Sequence, residues 1–432
     1  MLVLVAVLVG TAIQHRHHSL FVGWPPVFAQ WEPHVGPGTP AALAVAVAVV
    51  AYGPVLAVQL PWRALLFTAW GTAMAWTFSL ALVDGWQRGI AGRLTTTNEY
   101  LTVIGRFHDI PATLRDFTHH ILSHSPAPWP AHIAGHPPAA TVTFVLLDRI
   151  GLGGGAWAGV WCITVGATAG AAVLVTVRVL AGEELARRAA PFLVLAPAAV
   201  WVGTSADGYF AAVAAWAVAF LALAVTGHRP RSAGLAAGLL LGLTAYLSYG
   251  LTLFAVIAGT ALLLGHRRLR PLPYVVAGLA VVPVVFTLLG FNWWEAYRLL
   301  ITRYYEGVGG TRPYGYWVWA NLACTALIVG PATVAGLRRA GTAAVRPQLP
   351  QPRRTLRTAA PQSRLALLVF AALLALLVAD LSGMSKAETE RIWLPFAMWL
   401  LPACAFLPRP RAWLTAQAAL ALLLNHLLLT GW

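Results

Sequence analysis

The sequence predicts an all-α polytopic membrane protein, and three observations carry that reading. Hydrophobic residues make up 59% of the 432 residues and charged ones only 10%, with a mean hydropathy of +0.71, outside the range of ordinary soluble domains. Apolar runs of roughly 16 to 25 residues, each long enough as a helix to cross about 30 Å of hydrocarbon, recur from end to end. Basic residues fall in short clusters between those runs, as cytoplasmic loops of a membrane protein require.

The candidate spans can be justified in order. Run 1–13 lacks a basic leading segment and a small-residue cleavage site, so it reads as a retained or truncated helix. Runs 40–58 and 62–83 are uninterrupted, the second closing on Asp84. The stretch 136–151 is not a span, because about fifteen residues broken by Asp148 and Arg149 fit a re-entrant or juxtamembrane helix. Further spans are read at 155–179, 190–204, 208–227, 232–248, 250–265, 271–290, 316–337, 364–382, 393–408 and 411–429, about thirteen in all. The basic loops 178–188, 228–231, 266–270, 338–364 and 409–411 alternate with acidic or aromatic ones, which places the basic set in the cytoplasm and the polar stretch 84–138 outside.

This gives one membrane domain with four parts: accessory spans in 1–60, a core in 61–337 with an outer loop at 84–154, a basic linker at 338–363, and C-terminal spans in 364–432. The linker sequence R-P-Q-L-P-Q-P-R-R-T-L-R-T is rich in Pro and Arg and reads as disordered. The formal net charge of +15 and pI near 10.7 do not signal nucleic acid, since the charge lies between apolar runs and not along one helix face. Cys162, Cys324 and Cys404 all sit inside apolar runs without CxxC spacing, so neither a disulfide framework nor a zinc site is indicated.

With this topology nearly every acidic residue is outside, together with arginines that loop bias disfavours there, including Arg298, Arg303 and Arg391. Guanidinium groups bind phosphate bidentately, so an anionic lipid at the outer interface would account for them; salt bridges to neighbouring carboxylates would account for them equally. Asp84 follows F-S-L-A-L-V at a span's outer end, where a carboxylate can serve as a general base, a role that Glu99 or Asp109 could also fill. G-H-P-P places His136 at the opening of a short helix, able to donate to an anion or a sugar hydroxyl or simply to pack. T-S-A-D-G-Y places Asp207 in a polar hinge between two runs. S-K-A-E-T-E-R carries Lys386, the only lysine of the chain, with Glu388 and Arg391 three apart on one helical face. The segment 291–319 is dense in Trp and Tyr, as an interfacial belt is, and equally suited to stacking on sugar rings.

The order of these features, an apolar span ending in Asp84, an outer loop with Glu99 and Tyr100, His136–Pro138 opening a short helix, and Asp207 at a later outer tip, resembles the GT-C class of integral-membrane glycosyltransferases. That group includes the dolichyl-phosphate-mannose protein mannosyltransferases and the bacterial aminoarabinose and arabinosyl transferases. The resemblance implies transfer of a sugar from a polyprenyl-phosphate donor to a glycan, lipid or protein acceptor of the cell envelope, at a multi-pass bacterial plasma membrane, with a carboxylate of the first outer loop as base. Asp84 matches that position; Gly85 and Trp86 stand where the class has a second adjacent acid, so Asp84 and Glu99 remain rivals. The expected mechanism is inverting, with the leaving phosphate stabilised by some of Lys386, Arg391, Arg298, Arg303 and His136, and with Asp109, Asp207 and Glu388 as further binding residues. No nucleotide is needed, and a divalent cation is compatible, although no ligand spacing demands one.

Two other classes compete. A transporter or flippase binding an anionic lipid without chemistry predicts ionisable residues deep in the spans and symmetry between halves, whereas the charges here cluster at loops. A structural subunit of an envelope complex would tolerate Asp84→Ala.

Overall fold

The computed structural model describes residues 1–345 and 359–431. Helix α1 (Leu2–His17) leads to strand β1 (Ala29–Trp31) and then to α2 (Thr39–Gln59) and α3 (Trp62–Ala81). The outer loop is filled with short helical turns, namely Leu82–Asp84, Gln87–Ala91, Arg93–Thr95, Tyr100–Arg106, α4 (Ile110–Asp116), Phe117–His120, α5 (Ala131–Gly135) and α6 (Ala139–Arg149). Then come α7 (Gly155–Gly166), α8 (Thr168–Ala181), α9 (Glu183–Val194), α10 (Ala199–Val202), α11 (Ala206–Val225), α12 (Pro230–Leu247), α13 (Phe254–Leu264) and α14 (Leu272–Leu288). The chain continues through α15 (Trp293–Glu306), α16 (Val308–Thr311), α17 (Tyr314–Val345), α18 (Pro361–Leu381), α19 (Thr389–Ile392), α20 (Leu394–Leu400), α21 (Pro410–Leu427) and β2 (Leu428–Thr430).

Helices lie at the expected places, but the span count of about thirteen does not carry over. Among the described residues six helices are long and apolar enough to cross a bilayer: Thr39–Gln59, Trp62–Asp84, Gly155–Ala181, Ala206–Val225, Tyr314–Ala343 and Pro361–Leu381. A seventh results if α14 and α15, bent by 76°, form one span. The remaining expected spans are shorter or broken. Run 190–204 is the clearest case: α9 stops at Val194, α10 starts at Ala199, and Pro197 between them can donate no backbone hydrogen bond. Hydropathy sees apolar composition and not the interruption. The stretch 136–151 behaves as expected, since α6 has 11 residues, about 16 Å at 1.5 Å per residue.

The bundle is built around α11, whose apolar window is 83% buried, against 22% for α2. Alanine and glycine dominate the inward positions of α11, and small side chains let α7, α8 and α12 pack closely on it. Helix α2 by contrast leaves Val47, Val55 and Val58 exposed, as a hydrocarbon-facing span does.

Two chemically distinct ends follow. At one, Arg178 pairs with Glu183, Arg187 donates to the last carbonyls of α2, Arg188 reaches Leu407, Arg364 reaches Leu264 and Arg411 reaches Ala51. At the other lie Asp84, Glu99, Asp207 and the segment 385–391. Within the expected linker, 338–345 continue α17 and Pro361 opens α18, while 346–358 lie outside the described residues.

Helix α17 shows how sequence builds a break. Gly330 adopts φ +78° and Pro331 follows inside the helix, so the hydrogen-bond ladder is interrupted in the apolar interior. Gln417 of α21, fully buried, repairs it: its Nε2 donates to the Val329 carbonyl at 2.8 Å and its Oε1 accepts from the Ala332 amide at 3.3 Å. At the polar end β1 and β2 pair antiparallel, Gln30 opposite Leu429, so the segment after α21 is tied to the connection between α1 and α2, and Arg93 of the outer loop donates to its Thr430 carbonyl.

Candidate functional site

The outer-loop turns, the hinge before α11, α19 and the segment after β2 converge on a narrow cleft at the polar end. Its lining is Arg93, Glu99, Tyr100, Thr204, Ser205, Ala206, Arg391 and Gly431. The hinge is held in place locally. Thr204 sits at φ +68° with its hydroxyl on the Gly89 carbonyl, and Ser205 caps α11 by accepting from the Asp207 amide at 3.1 Å.

Five side chains form a continuous polar row across the cleft. Ser205 Oγ donates to Asp207 Oδ2 at 3.2 Å, and Arg391 Nη1 donates to the same oxygen at 2.5 Å. Arg391 Nη2 lies 3.4 Å from His132 Nε2, and His132 Nδ1 lies 2.8 Å from Glu99 Oε1. His132 thus stands between the two charges, with Nδ1 at ion-pair distance from Glu99 and Nε2 facing Arg391. Glu388, in left-handed backbone at φ +61°, adds charge from the flank, 3.6 Å from Arg391 and 3.5 Å from Arg312. Asp207, Arg391 and Glu99 are all buried, so the low dielectric makes these pairings strong and their loss expensive.

His136 stands one residue behind the cleft. Its Nδ1 lies 2.7 Å from the His132 carbonyl and 3.1 Å from the hydroxyl of Tyr100, which lines the cleft. Burial pushes His136 down to about 4, so it is neutral near pH 7. The same cause pushes the Tyr100 phenol well up and keeps it protonated, able to donate.

Asp84 is placed differently from Glu99. Its Oδ1 meets His34 Nε2 at 2.9 Å, and its Oδ2 meets Arg93 Nη2 at 2.8 Å and Arg88 Nε at 3.7 Å. It stands behind Arg93, which reaches the cleft wall and also donates to the Thr430 carbonyl at 3.3 Å. Among the described residues Arg93 Nε has no hydrogen-bond partner. Glu99 has a single ion-pair partner among the described residues, His132, through Oε1.

The remaining expected residues are engaged elsewhere. Asp109 is exposed and caps α4 through the Ala112 amide at 3.0 Å. Arg303 donates to the Ile121 carbonyl and, at 2.8 Å, to that of Trp129, pinning α15 to the outer loop, while Arg298 is exposed on α15. Lys386 donates to the Gly309 carbonyl at 2.8 Å and lies over the Tyr305 ring, closing the turn around α16. Two participants were missed in the sequence, His132 and His34. The first had a signal: A-H-I-A-G-H sets His132 and His136 four apart, on one face of a helical turn. Among the described residues no group of three or more His, Cys, Asp or Glu is arranged to hold a metal ion.

No protein-family model matches this chain, and no curated protein does. Among solved structures it is similar to the oligosaccharyltransferase of Archaeoglobus fulgidus in complex with Zn and sulfate, at 14% identity and a TM-score of 0.46 over 78% of this chain and 48% of that one. The apo form of that enzyme gives 13% and 0.47 over 80% and 50%. The archaeal oligosaccharyltransferase AglB from the same organism, in complex with an inhibitory peptide and a dolichol-phosphate, gives the same values. The chain spans about half the length of these structures. A likeness at this level carries neither a residue correspondence nor a reaction to this chain.

Proposed function

We propose that this protein is a membrane glycosyltransferase that moves a sugar from a polyprenyl-phosphate donor to an acceptor hydroxyl at the polar end of the bundle, with Glu99 as general base. The observation that supports this most directly is the cleft itself, which sets a buried carboxylate, held through one oxygen by His132 at 2.8 Å, beside the guanidiniums of Arg93 and Arg391 at the edge of a membrane bundle.

The chemistry needs two things. A proton must leave the acceptor hydroxyl as its oxygen bonds to the anomeric carbon, and the bond from that carbon to the lipid phosphate must break with its electron pair going to the phosphate. Glu99 takes the proton. Arg93 and Arg391 offset the phosphate's growing charge, a task for preorganised guanidiniums in a site of low dielectric. Attack on the face opposite the phosphate inverts the anomeric centre. Asp84 is the weaker base, because His34, Arg93 and Arg88 already surround its carboxylate; its part is to hold Arg93 in position.

The test is transfer by the full chain in proteoliposomes, supplied with radiolabelled polyprenyl-phosphate sugars and an envelope acceptor extract. Glu99→Gln is expected to lower the rate by about 10²- to 10⁴-fold, the usual worth of general base catalysis, while Asp84→Asn loses less. Transfer absent with every donor, or undiminished in Glu99→Gln, overturns the reading; loss confined to Asp84→Asn moves the base to Asp84.

A further inference from the structure

The basic end carries a feature that the chemistry of the polar end does not use. Between the last turns of α2 and the start of α21 lies an open trough of about 560 Å³, lined by Pro54, Val55, Val58 and Gln59 on one side and by Arg409, Pro410, Arg411 and Ala412 on the other. We propose that it is a binding site for one anionic phospholipid, with the phosphate between Arg409 and Arg411 and an acyl chain along Val55 and Val58.

Each half of that ligand has its own support. Val55 and Val58 are 41% and 70% exposed on a span that buries little of its surface, so the wall they form faces hydrocarbon. A soluble anion gains nothing from such a wall, and an acyl chain does. The mouth is a site of excess positive charge. Arg409 is exposed and has no side-chain hydrogen bond or ion pair among the described residues. Arg411 spends one Nη2 contact, at 3.2 Å, on the Ala51 carbonyl.

What could neutralise the mouth is occupied. Glu183 is held by Arg178 and Arg187 at 2.8 and 2.6 Å, and Glu184 lies 3.9 Å from Arg188. The carbonyls that end α2, a partial negative charge, are covered by Arg187 Nη1 at Ala57, Val58 and Leu60. Arg188 donates to Leu407, two residues before Arg409. Guanidiniums held at a bilayer's edge over an apolar wall match a phosphodiester on its acyl chains, and each basic group near the surface adds attraction for anionic lipid.

The experiment is native mass spectrometry of the delipidated full chain, titrated with phosphatidylglycerol or phosphatidylcholine. Phosphatidylglycerol should be retained at about tenfold lower concentration, and the exposed double variant Arg409→Gln with Arg411→Gln should remove that preference while its melting temperature stays that of the parent. Val58→Trp, which fills the trough and leaves the charge, should weaken retention of phosphatidylglycerol. Equal retention of both lipids by the parent, or an unchanged preference in the double variant, overturns the proposal. So does displacement of phosphatidylglycerol by glycerol phosphate at equal concentration, which would make the site one for a soluble anion.

Discussion

At the residue scale the argument turns on burial. Asp207 and Arg391 have side chains only 5% and 6% exposed, and removing one partner of such a pair strands a charge, at about 3–5 kcal/mol, whereas replacing both with apolar groups is near neutral. Asp207→Leu and Arg391→Met are therefore each expected to lower the melting temperature strongly, and the double variant to recover most of the loss. A double variant as unstable as the two losses combined would show that the pair is not a unit. His136 supplies a pH prediction. Its folded form takes up a proton near 4 instead of 6.5, because burial lowers it more than the Asp207 charge and the His132 carbonyl raise it. Between those values the unfolded chain binds more protons, so this contribution is complete above about pH 6.5 and is lost as the pH falls toward about 4. Thermal melting at about pH 7 and about pH 5 should show a smaller acid loss in His136→Phe than in the parent. Asp207, Glu99 and Arg391 were legible in the sequence because a charged residue beside apolar runs is costly and needs a reason. His34 and the different surroundings of Asp84 and Glu99 were not, since they depend on which side chains meet across the fold.

At the element scale the sequence read composition well and continuity poorly. Apolar runs marked where helices lie, but Pro197 and the Gly330–Pro331 pair decide where helices stop or bend, and a window average cannot register a single missing donor. The same holds for Gln417, which reads as an ordinary polar residue on a helix until the break in α17 is seen opposite it. Its Oε1 accepts from the Ala332 amide at the break and its Nε2 shares the Val329 carbonyl with the Thr333 hydroxyl, so Gln417→Leu, which removes both contacts in an apolar interior, is expected to destabilise the protein by about 1–3 kcal/mol. Gln417→Glu is expected to do worse, because it buries a carboxylate in an apolar interior and turns an oxygen without a proton toward the Val329 carbonyl. Denaturation in detergent measures both. A neutral Gln417→Leu would mean that the break relaxes without its help.

At the scale of the whole molecule the segregation of charge into two ends carries the orientation. Arginines gather where α2 ends and α9 and α21 begin, so the positive-inside tendency predicts that end in the cytoplasm and the cleft with its acidic neighbours outside. The three native cysteines are all buried, so a single introduced cysteine can be labelled against a low background. Thr97 is exposed in the outer-loop turns, and Arg270 is exposed in the loop between α13 and α14. In intact cells a membrane-impermeant maleimide should react with Thr97→Cys and spare Arg270→Cys, which should be labelled only after permeabilisation. The reverse pattern would put the cleft in the cytoplasm, where a soluble nucleotide sugar could serve as donor, and would remove the reason for a lipid-linked one. The outcome therefore bears on the class of donor as well as on topology, because a site outside the membrane barrier has no nucleotide sugar to draw on.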